Sequence, residues 1–143
     1  MLETVNIDSQ ISVYEQIKNQ VLFAVAGGHL KTGDQLPTVR ELSERLALNP
    51  NTITKAYREL EAMEITYARQ GMGVYIAPTA AAKCRTKVRQ HLVQRLYEVV
   101  CEAKASNLPE SEFMSLVDSA FTETGTLYGP LPQVLESLIP GEK

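Results

Sequence analysis

The feature that most constrains the fold is a pair of closely spaced helix starts between residues 38 and 63. Thr38 and Glu41 have the spacing of a capping box, and the apolar residues behind them recur at helical intervals. Asn49 then precedes Pro50, which is typical of a helix N-cap followed by a first-turn proline. Because only "ALN", residues 47–49, separates the two apolar stripes, the sequence predicts a helix-turn-helix.

The elements on either side extend this motif. Ser12 and Glu15 form another capping-box pattern, at the start of a helix that Gly27 and Gly28 end. After the third helix, the segment "EITYARQGMGVYIAP", residues 64–78, roughly alternates apolar and polar positions around a glycine-bearing tip, which predicts a two-stranded hairpin. We therefore expect a mainly α fold with a small β-hairpin wing, in which residues 1–78 form a winged helix-turn-helix domain.

The third helix of this domain has two different faces. With Ile53 at zero on a helical wheel, the apolar residues that fall within about 60° are Ala56, Tyr57 and Leu60. The polar residues between about 100° and 200° are Asn51, Thr54, Lys55 and Arg58. Such side chains can bond base edges or phosphates, and free N–H groups at the helix start can hold a phosphate. A solvated helix face fits this stretch alone, but the surrounding helix-turn-helix and hairpin favour a DNA-recognition helix.

The chain beyond the hairpin shows two further helical patterns, in residues 79–122, followed by a tail rich in glycine and proline, residues 123–143. The apolar stripes of the two helices need burial, which a second subunit or the chain's own winged domain could supply. We predict a dimerisation segment, with the tail loosely structured. The predicted dimerisation residues are Val88, Leu92, Leu96, Val99, Phe113, Leu116, Val117 and Phe121.

The distribution of charge says more than its sum. The chain of 143 residues has a formal net charge of −3, which argues little for or against a polyanionic partner. Residues 79–95, however, carry five basic side chains and no acidic one. These basic residues could contact additional DNA phosphates, or they could simply form a solvent-exposed face at the start of a helix. Since positive charge is unfavourable there, we expect acidic or phosphate neighbours, such as Glu residues of a second subunit.

The sequence gives no support for catalysis or for a bound cofactor or metal. His29 and His91 are isolated, and His91 lies two helical turns from Cys84, too far for joint coordination of zinc without a third element. Cys84 and Cys101 are too far apart on one predicted helix to form a disulfide. With no long apolar run and no export signal, we expect a non-enzymatic, cytoplasmic bacterial protein.

At this point the sequence resembles a known family. The stretch "LPTVRELSERLALNPNTITKAYRELEAMEITYARQGMGVYI", residues 36–76, is similar to the DNA-binding domain of the GntR superfamily of bacterial transcription regulators. The pieces "NPNT" and "AYREL", with "YEQIK" at residues 14–18, resemble the YtrA-like subfamily in particular. The resemblance covers residues 4–78 and implies a repressor that binds an inverted-repeat operator as a homodimer. It also implies control of its own operon and a nearby transporter. A further alternative is a sensor of an unknown small-molecule effector, with a pocket between the two C-terminal helices.

The resemblance also implies site residues. Those at the second and third helices are Thr38, Arg40, Asn49, Asn51, Thr52, Thr54, Lys55 and Arg58, and those at the wing tip are Arg69, Gln70 and Gly71. For Arg40 alone, a surface ion pair with Glu44 remains an alternative role. The rival to the whole interpretation is a winged-helix protein-interaction module that does not bind DNA.

The sequence departs from the family pattern in four places. The family often has glycine where Ala47 and Glu64 stand, and often has Arg or Lys where Gln70 and Met72 stand in the wing. Fewer wing charges should weaken phosphate attraction and its dependence on salt. We therefore expect the recognition helix to carry more of the specificity than the wing.

Overall fold

The computed structural model describes residues 4–123, 125, 127–128 and 132–140. The elements in these residues are α1 (Val13–Ala26), α2 (Val39–Leu46), α3 (Pro50–Ala62), β1 (Thr66–Arg69), β2 (Gly73–Ile76), α4 (Ala80–Ala105), α5 (Glu110–Thr122) and α6 (Gln133–Glu136). The predicted mainly α fold with a hairpin wing is confirmed. The chain divides into two compact units, residues 1–91 and 92–143, and α4 runs from one into the next. The predicted Gly/Pro tail lies partly outside the described residues.

The core of the first unit is built where α1 and α2 pack against α3 and where the hairpin closes beside them. Its fully buried apolar side chains include Ile17, Val21, Leu42, Ile53, Leu60, Ile65 and Ile76. Burying a side chain of this size stabilises a fold by about 2 kcal/mol. Because α2 has only one buried side chain, Leu42, its position depends on how that side chain packs.

An N-terminal arm is held against α1 by two buried glutamines. Gln16 accepts from the Asn6 N–H at 2.8 Å and donates to the Asn6 carbonyl at 2.7 Å, while Gln20 donates to the Thr4 carbonyl at 2.7 Å. The predicted capping box of α1 is wrong, because Ser12 is the N-cap residue but its hydroxyl makes no cap hydrogen bond. The chain that enters α1 is fixed instead by the Gln16 side chain.

The turn between α2 and α3 follows from local hydrogen bonds. The capping box of α2 is confirmed, since Thr38 Oγ1 accepts from the Glu41 N–H at 3.0 Å and the Glu41 carboxylate accepts from the Thr38 N–H at 3.2 Å. The Ser43 hydroxyl donates to the Leu48 carbonyl at 2.6 Å across the turn. Ala47 has a φ of +54°, in the left-handed region that favours glycine. Glycine, which the resemblance leads us to expect at this position, would adopt this backbone conformation without strain.

The wing is a short hairpin that is anchored to the loop before α2. Its register runs from Thr66 opposite Ile76 to Arg69 opposite Gly73. Gln35 forms a bridge to Tyr75 and donates from Nε2 to the Met72 carbonyl at 3.0 Å. A Cβ atom at Gly73 would lie 2.5 Å from Gln35 Nε2, so a glycine there permits this close approach. The loop before α2 therefore holds the wing in place through Gln35.

The basic run at the start of α4 has an acidic neighbour in its own chain. Lys83 Nζ lies 2.7 Å from a Glu64 carboxylate oxygen, and this hydrogen bond lowers the pKa of the Glu64 carboxyl. The expectation of an acidic neighbour is confirmed for Lys83, but the carboxylate comes from the same chain rather than from a second subunit. The φ of Glu64 is +62°, in the left-handed region that favours glycine, the residue that the resemblance leads us to expect there.

The two cysteines of α4 have different surroundings, and both are free. Cys84 is buried with Ala80 against the core of the first unit, where burial raises the pKa of its thiol to about 11. Cys101 is exposed in the second unit. The expectation that they do not form a disulfide is confirmed.

In the second unit, the C-terminal half of α4 turns into α5 through Asn107, whose φ is +56°. A cavity of about 490 Å³ lies between the two helices. Many large apolar side chains of this unit stay exposed to solvent, and these include Leu92, Val93, Leu96, Tyr97, Met114 and Phe121. No helix in the described residues is both long enough and apolar enough to span a membrane.

The strained turn residue gives a stability prediction. Ala47→Gly is expected to raise the free energy of unfolding by about 1 kcal/mol, because glycine adopts a positive φ without the clash of a Cβ atom. The matched control is Ala82→Gly, at an exposed position in the first turn of α4. It is expected to lower the stability by up to about 1 kcal/mol, because glycine is less favourable than alanine in a helix. Thermal or urea unfolding measures both, and destabilisation by Ala47→Gly would contradict the account.

Candidate nucleic-acid interface

The two faces of α3 are separated in the structure as the helical wheel predicts. Ile53, Ala56, Tyr57 and Leu60 are buried in the core. The opposite face borders an open cavity of about 380 Å³, whose lining residues are Asn51, Thr54, Lys55, Arg58, Glu59 and Ala62. Asn51, Lys55 and Arg58 are exposed, while Thr52 and Thr54 are half-buried. The core packing therefore fixes a donor-rich surface towards solvent.

Two backbone N–H groups at the start of α3 are already hydrogen-bonded within the chain, and a phosphate there would have to share or replace these bonds. Pro50 has no N–H group, and the Asn51 N–H donates to Asn49 Oδ1 at 2.9 Å. The Thr52 N–H donates to the Asn49 carbonyl at 3.0 Å. The Asn49 side-chain amide retains its N–H donors while its oxygen caps the helix.

Helix α2 presents Thr38 and Arg40 at its N-terminal end, both exposed. Arg40 Nε lies 3.3 Å from Glu44 Oε1 one turn along the helix, and the Arg40 side chain is 89% exposed. The alternative role for Arg40, a surface ion pair, is thus present in the structure. Such an exposed ion pair contributes little to stability and breaks easily when a phosphate competes for the arginine.

A single hydrogen bond links α3 to the start of α2. The Tyr57 hydroxyl donates to the Pro37 carbonyl at 2.6 Å, just before the Thr38 cap. Burial raises the pKa of the Tyr57 hydroxyl above its usual range, although the charge of Arg45 opposes the shift. The hydroxyl therefore stays protonated as a donor, and it fixes the start of α2, with Arg40, relative to α3.

At the wing, Arg69, Gln70, Gly71 and Met72 are exposed around the turn, where Gly71 has a φ of +74°. The rings of Tyr67 and Tyr75 stack across the strands at 5.8 Å. The Arg69 guanidinium lies over this pair, 5.4 Å from the Tyr75 ring and 5.8 Å from the Tyr67 ring. The wing therefore offers one cation, and polar or apolar side chains at the positions where the family often has further ones.

The structure adds α1 residues to this surface that the sequence pattern did not indicate. Lys55 Nζ lies 3.9 Å from the centroid of the Tyr14 ring, and Lys18 Nζ lies 3.1 Å from the Glu59 carboxylate. Tyr14 is half-buried and packs against the core of the first unit as well as lying beside Lys55. The only signal was the i, i+4 spacing of Tyr14 and Lys18, which places both on one side of α1.

The predicted dimerisation residues fall into three groups. Those exposed in the described residues are Leu92, Leu96, Val99, Leu116 and Phe121. Phe113 and Val117 are half-buried and, together with the exposed Leu96, line the cavity between α4 and α5. Val88 packs against the core of the first unit. Among the described residues there is no group of three or more His, Cys, Asp or Glu side chains that could hold a metal ion.

The fold and this surface define the class: a winged helix-turn-helix DNA-binding protein. The sequence profile of the bacterial regulatory proteins of the gntR family matches residues 13–76. The transcriptional repressor YtrA of Bacillus subtilis is 36% identical over 66% of this chain and 73% of its own. The regulator YhcF of the same organism is 32% identical over 79% of this chain and 92% of its own.

A solved structure agrees with these sequence relatives. A GntR family transcriptional regulator from Listeria monocytogenes superposes with a TM-score of 0.63, at 28% identity, over 79% of this chain and 98% of its own. The chain therefore belongs to the GntR family. It is a transcriptional regulator with a DNA-binding winged helix, and its relatives are named as regulators and not as enzymes.

Proposed function

We propose that this regulator binds an inverted-repeat operator as a homodimer and represses the genes behind it. The observation that carries the proposal is the split of α3 into a buried apolar face and an exposed face with Asn51, Lys55 and Arg58. A helix of this kind enters the major groove by its N-terminal end, with a wing beside it near the minor groove. In this division of labour, residues 1–78 bind DNA and residues 79–122 join the two subunits.

Within the proposed complex the side chains have separate tasks. Asn51 has the donor and acceptor pattern that pairs with an adenine edge, and Thr52 and Thr54 can bond a base or touch a thymine methyl. Lys55, Arg58 and Arg40 supply positive charge for phosphates. The remaining proposed contact residues are Thr38, Asn49, Arg69, Gln70 and Gly71. Since Arg69 is the only cation of the wing tip, we assign most of the specificity to α3.

The homodimer is supported by the apolar surface of the second unit. Leu92, Leu96 and Phe121 are exposed, the last at 87%, in a unit that has few buried side chains of its own. Exposed apolar side chains in such a cluster mark an interaction surface. A second copy of the chain would bury them and would also supply the two-fold symmetry that an inverted repeat requires.

Repression is supported by the name of the Bacillus subtilis relative YtrA, a transcriptional repressor. As the family resemblance implies, we propose that the regulated genes are the regulator's own operon and a nearby transporter. An effector would act by shifting the dimer away from the geometry that fits the operator. We place the protein in the bacterial cytoplasm, on the nucleoid when it is bound to DNA, because its relatives are bacterial transcription regulators.

The first test of the proposed function concerns Arg40. The DNA ligand is a duplex selected from random DNA with the wild-type protein. Arg40→Ala is expected to reduce the affinity of the protein for this duplex by about 100-fold or more, because a dimer loses two charged contacts. The thermal midpoint should barely move, since the Arg40–Glu44 pair is exposed. Fluorescence anisotropy across a salt series measures the affinity and, if the protein binds DNA, shows a steep loss as salt rises.

The matched control for Arg40 is Glu44→Gln, which removes the carboxylate and keeps the arginine charge. Its affinity for the selected duplex should equal or exceed that of the wild type. If Arg40→Ala lowers the thermal midpoint sharply, Arg40 has a structural role. If the wild-type protein binds no DNA at all, the proposed function fails and a protein-interaction module takes its place.

A second prediction concerns the dimer. Leu96→Glu is expected to shift the protein from dimer to monomer in sedimentation velocity, because a carboxylate would be buried without a partner. Gln94→Glu introduces the same charge on the other side of α4 and should leave the dimer intact. A wild-type protein that sediments as a monomer at micromolar concentration, or a Leu96→Glu variant that remains a dimer, would contradict the proposed interface.

A further inference from the structure

The side chains of Lys55 and Glu59 lie one turn apart on the exposed face of α3, at the i, i+4 spacing at which opposite charges attract. In the structure both have partners on α1 instead. Lys55 Nζ lies 3.9 Å from the centroid of the Tyr14 ring, and the Glu59 carboxylate lies 3.1 Å from Lys18 Nζ. Tyr14 and Lys18 are themselves one turn apart on α1. Two contacts between helices thus replace one ion pair within α3.

The two kinds of partner have opposite effects on charge. A carboxylate next to a cation cancels most of its field, as Glu44 does for Arg40. The face of a tyrosine ring attracts a cation through its quadrupole but leaves the full charge in place. The Tyr14 ring covers one side of the Lys55 ammonium, so N–H donors on the other side can still reach a phosphate.

We propose that Tyr14 is a positioning residue of the DNA interface, which holds the Lys55 ammonium on the face of its ring. Lys18 assists by binding Glu59, the carboxylate that would otherwise pair with Lys55. The inference rests on the proposed DNA-binding function and deepens it. Since Tyr14 is half-buried at the start of α1, its ring is fixed by the fold, and Lys55 loses less side-chain freedom when it meets a phosphate.

The arrangement also limits repulsion. Glu59 borders the same cavity as Asn51 and Arg58, where an unpaired carboxylate would repel the phosphates of DNA. The ion pair with Lys18 offsets that charge from the α1 side. In a chain with more acidic than basic residues, the Glu59 carboxylate is thus compensated by Lys18, and Lys55 contacts a ring and not a carboxylate.

The test compares variants for affinity to the selected duplex by fluorescence anisotropy. Tyr14→Leu should lower the affinity about threefold per subunit, and so about tenfold for a dimer, because the cation loses its ring. Tyr14→Phe should bind like the wild type, since it keeps the ring face. Lys55→Met should lower the affinity and reduce the salt slope by about two per dimer, whereas Tyr14→Leu should leave the slope unchanged.

The contribution of Lys18 has its own rescue experiment. Lys18→Met should weaken binding, because Glu59 becomes free to pair with Lys55, and a second change, Glu59→Gln, should restore it. When Tyr14→Leu is added to Lys55→Met, the affinity for the duplex should not fall further, because Tyr14 acts only by positioning Lys55. The inference would be overturned if the losses of affinity caused by Tyr14→Leu and Lys55→Met were additive. It would also be overturned if Glu59→Gln did not restore the affinity of the Lys18→Met variant.

A measurement without DNA separates this inference from the proposed function. In NMR spectra of the free wild-type protein, the Lys55 Cε protons should be shifted upfield by the ring of Tyr14, and Tyr14→Phe should keep that shift. Absence of the shift overturns the positioning role even if DNA binding is normal. Unchanged affinity in a folded Tyr14→Leu variant would do the same, while failure of the wild type to bind any DNA refutes the proposed function instead.

Discussion

The burial of the apolar face of α3 is the constraint on which the rest of this structure depends. Ile53, Tyr57 and Leu60 pack into the core between the neighbouring elements, and this packing decides which side chains of the helix face solvent. A rotation of α3 by a single residue would bury charged side chains at a cost of several kcal/mol. The Tyr57 hydroxyl, bonded to the Pro37 carbonyl, then fixes the start of α2 in the same frame. The candidate interface is therefore as rigid as the core beneath it.

The sequence predicts those parts of the fold that local rules determine. The helical wheel divided α3 correctly, and the capping residues Thr38 and Asn49 located the starts of α2 and α3. Contacts between segments distant in sequence could not be predicted, because spacing carries no information about them. The bond from Gln35 to the wing and the contact of Tyr14 with Lys55 belong to this group. The sequence pattern also did not indicate that cap hydrogen bonds occupy the Asn51 and Thr52 N–H groups at the start of α3.

The electrostatics explain how an acidic chain can present a surface to a polyanion. The local charge of α3 matters more than the net charge of the chain, and partners on α1 influence it. Lys18 forms an ion pair with the Glu59 carboxylate, while the Lys55 ammonium lies against the Tyr14 ring and keeps its full charge. At the wing, Arg69 also lies over tyrosine rings instead of a carboxylate. Because Gln70 and Met72 stand where cations could be, the wing contributes little positive electrostatic potential. Specificity and salt dependence should accordingly follow α3 more than the hairpin.

Whether the exposed face of α3 reads bases can be measured by selecting bound duplexes from random DNA. With the wild-type protein, the account predicts a recovered palindrome with two equal half-sites. Repeated with Asn51→Ala, it predicts loss of base preference at one position in each half-site, while non-specific affinity stays close to that of the wild type. Enrichment of no sequence by the wild type, or an equal loss of affinity for all sequences in the variant, would contradict it.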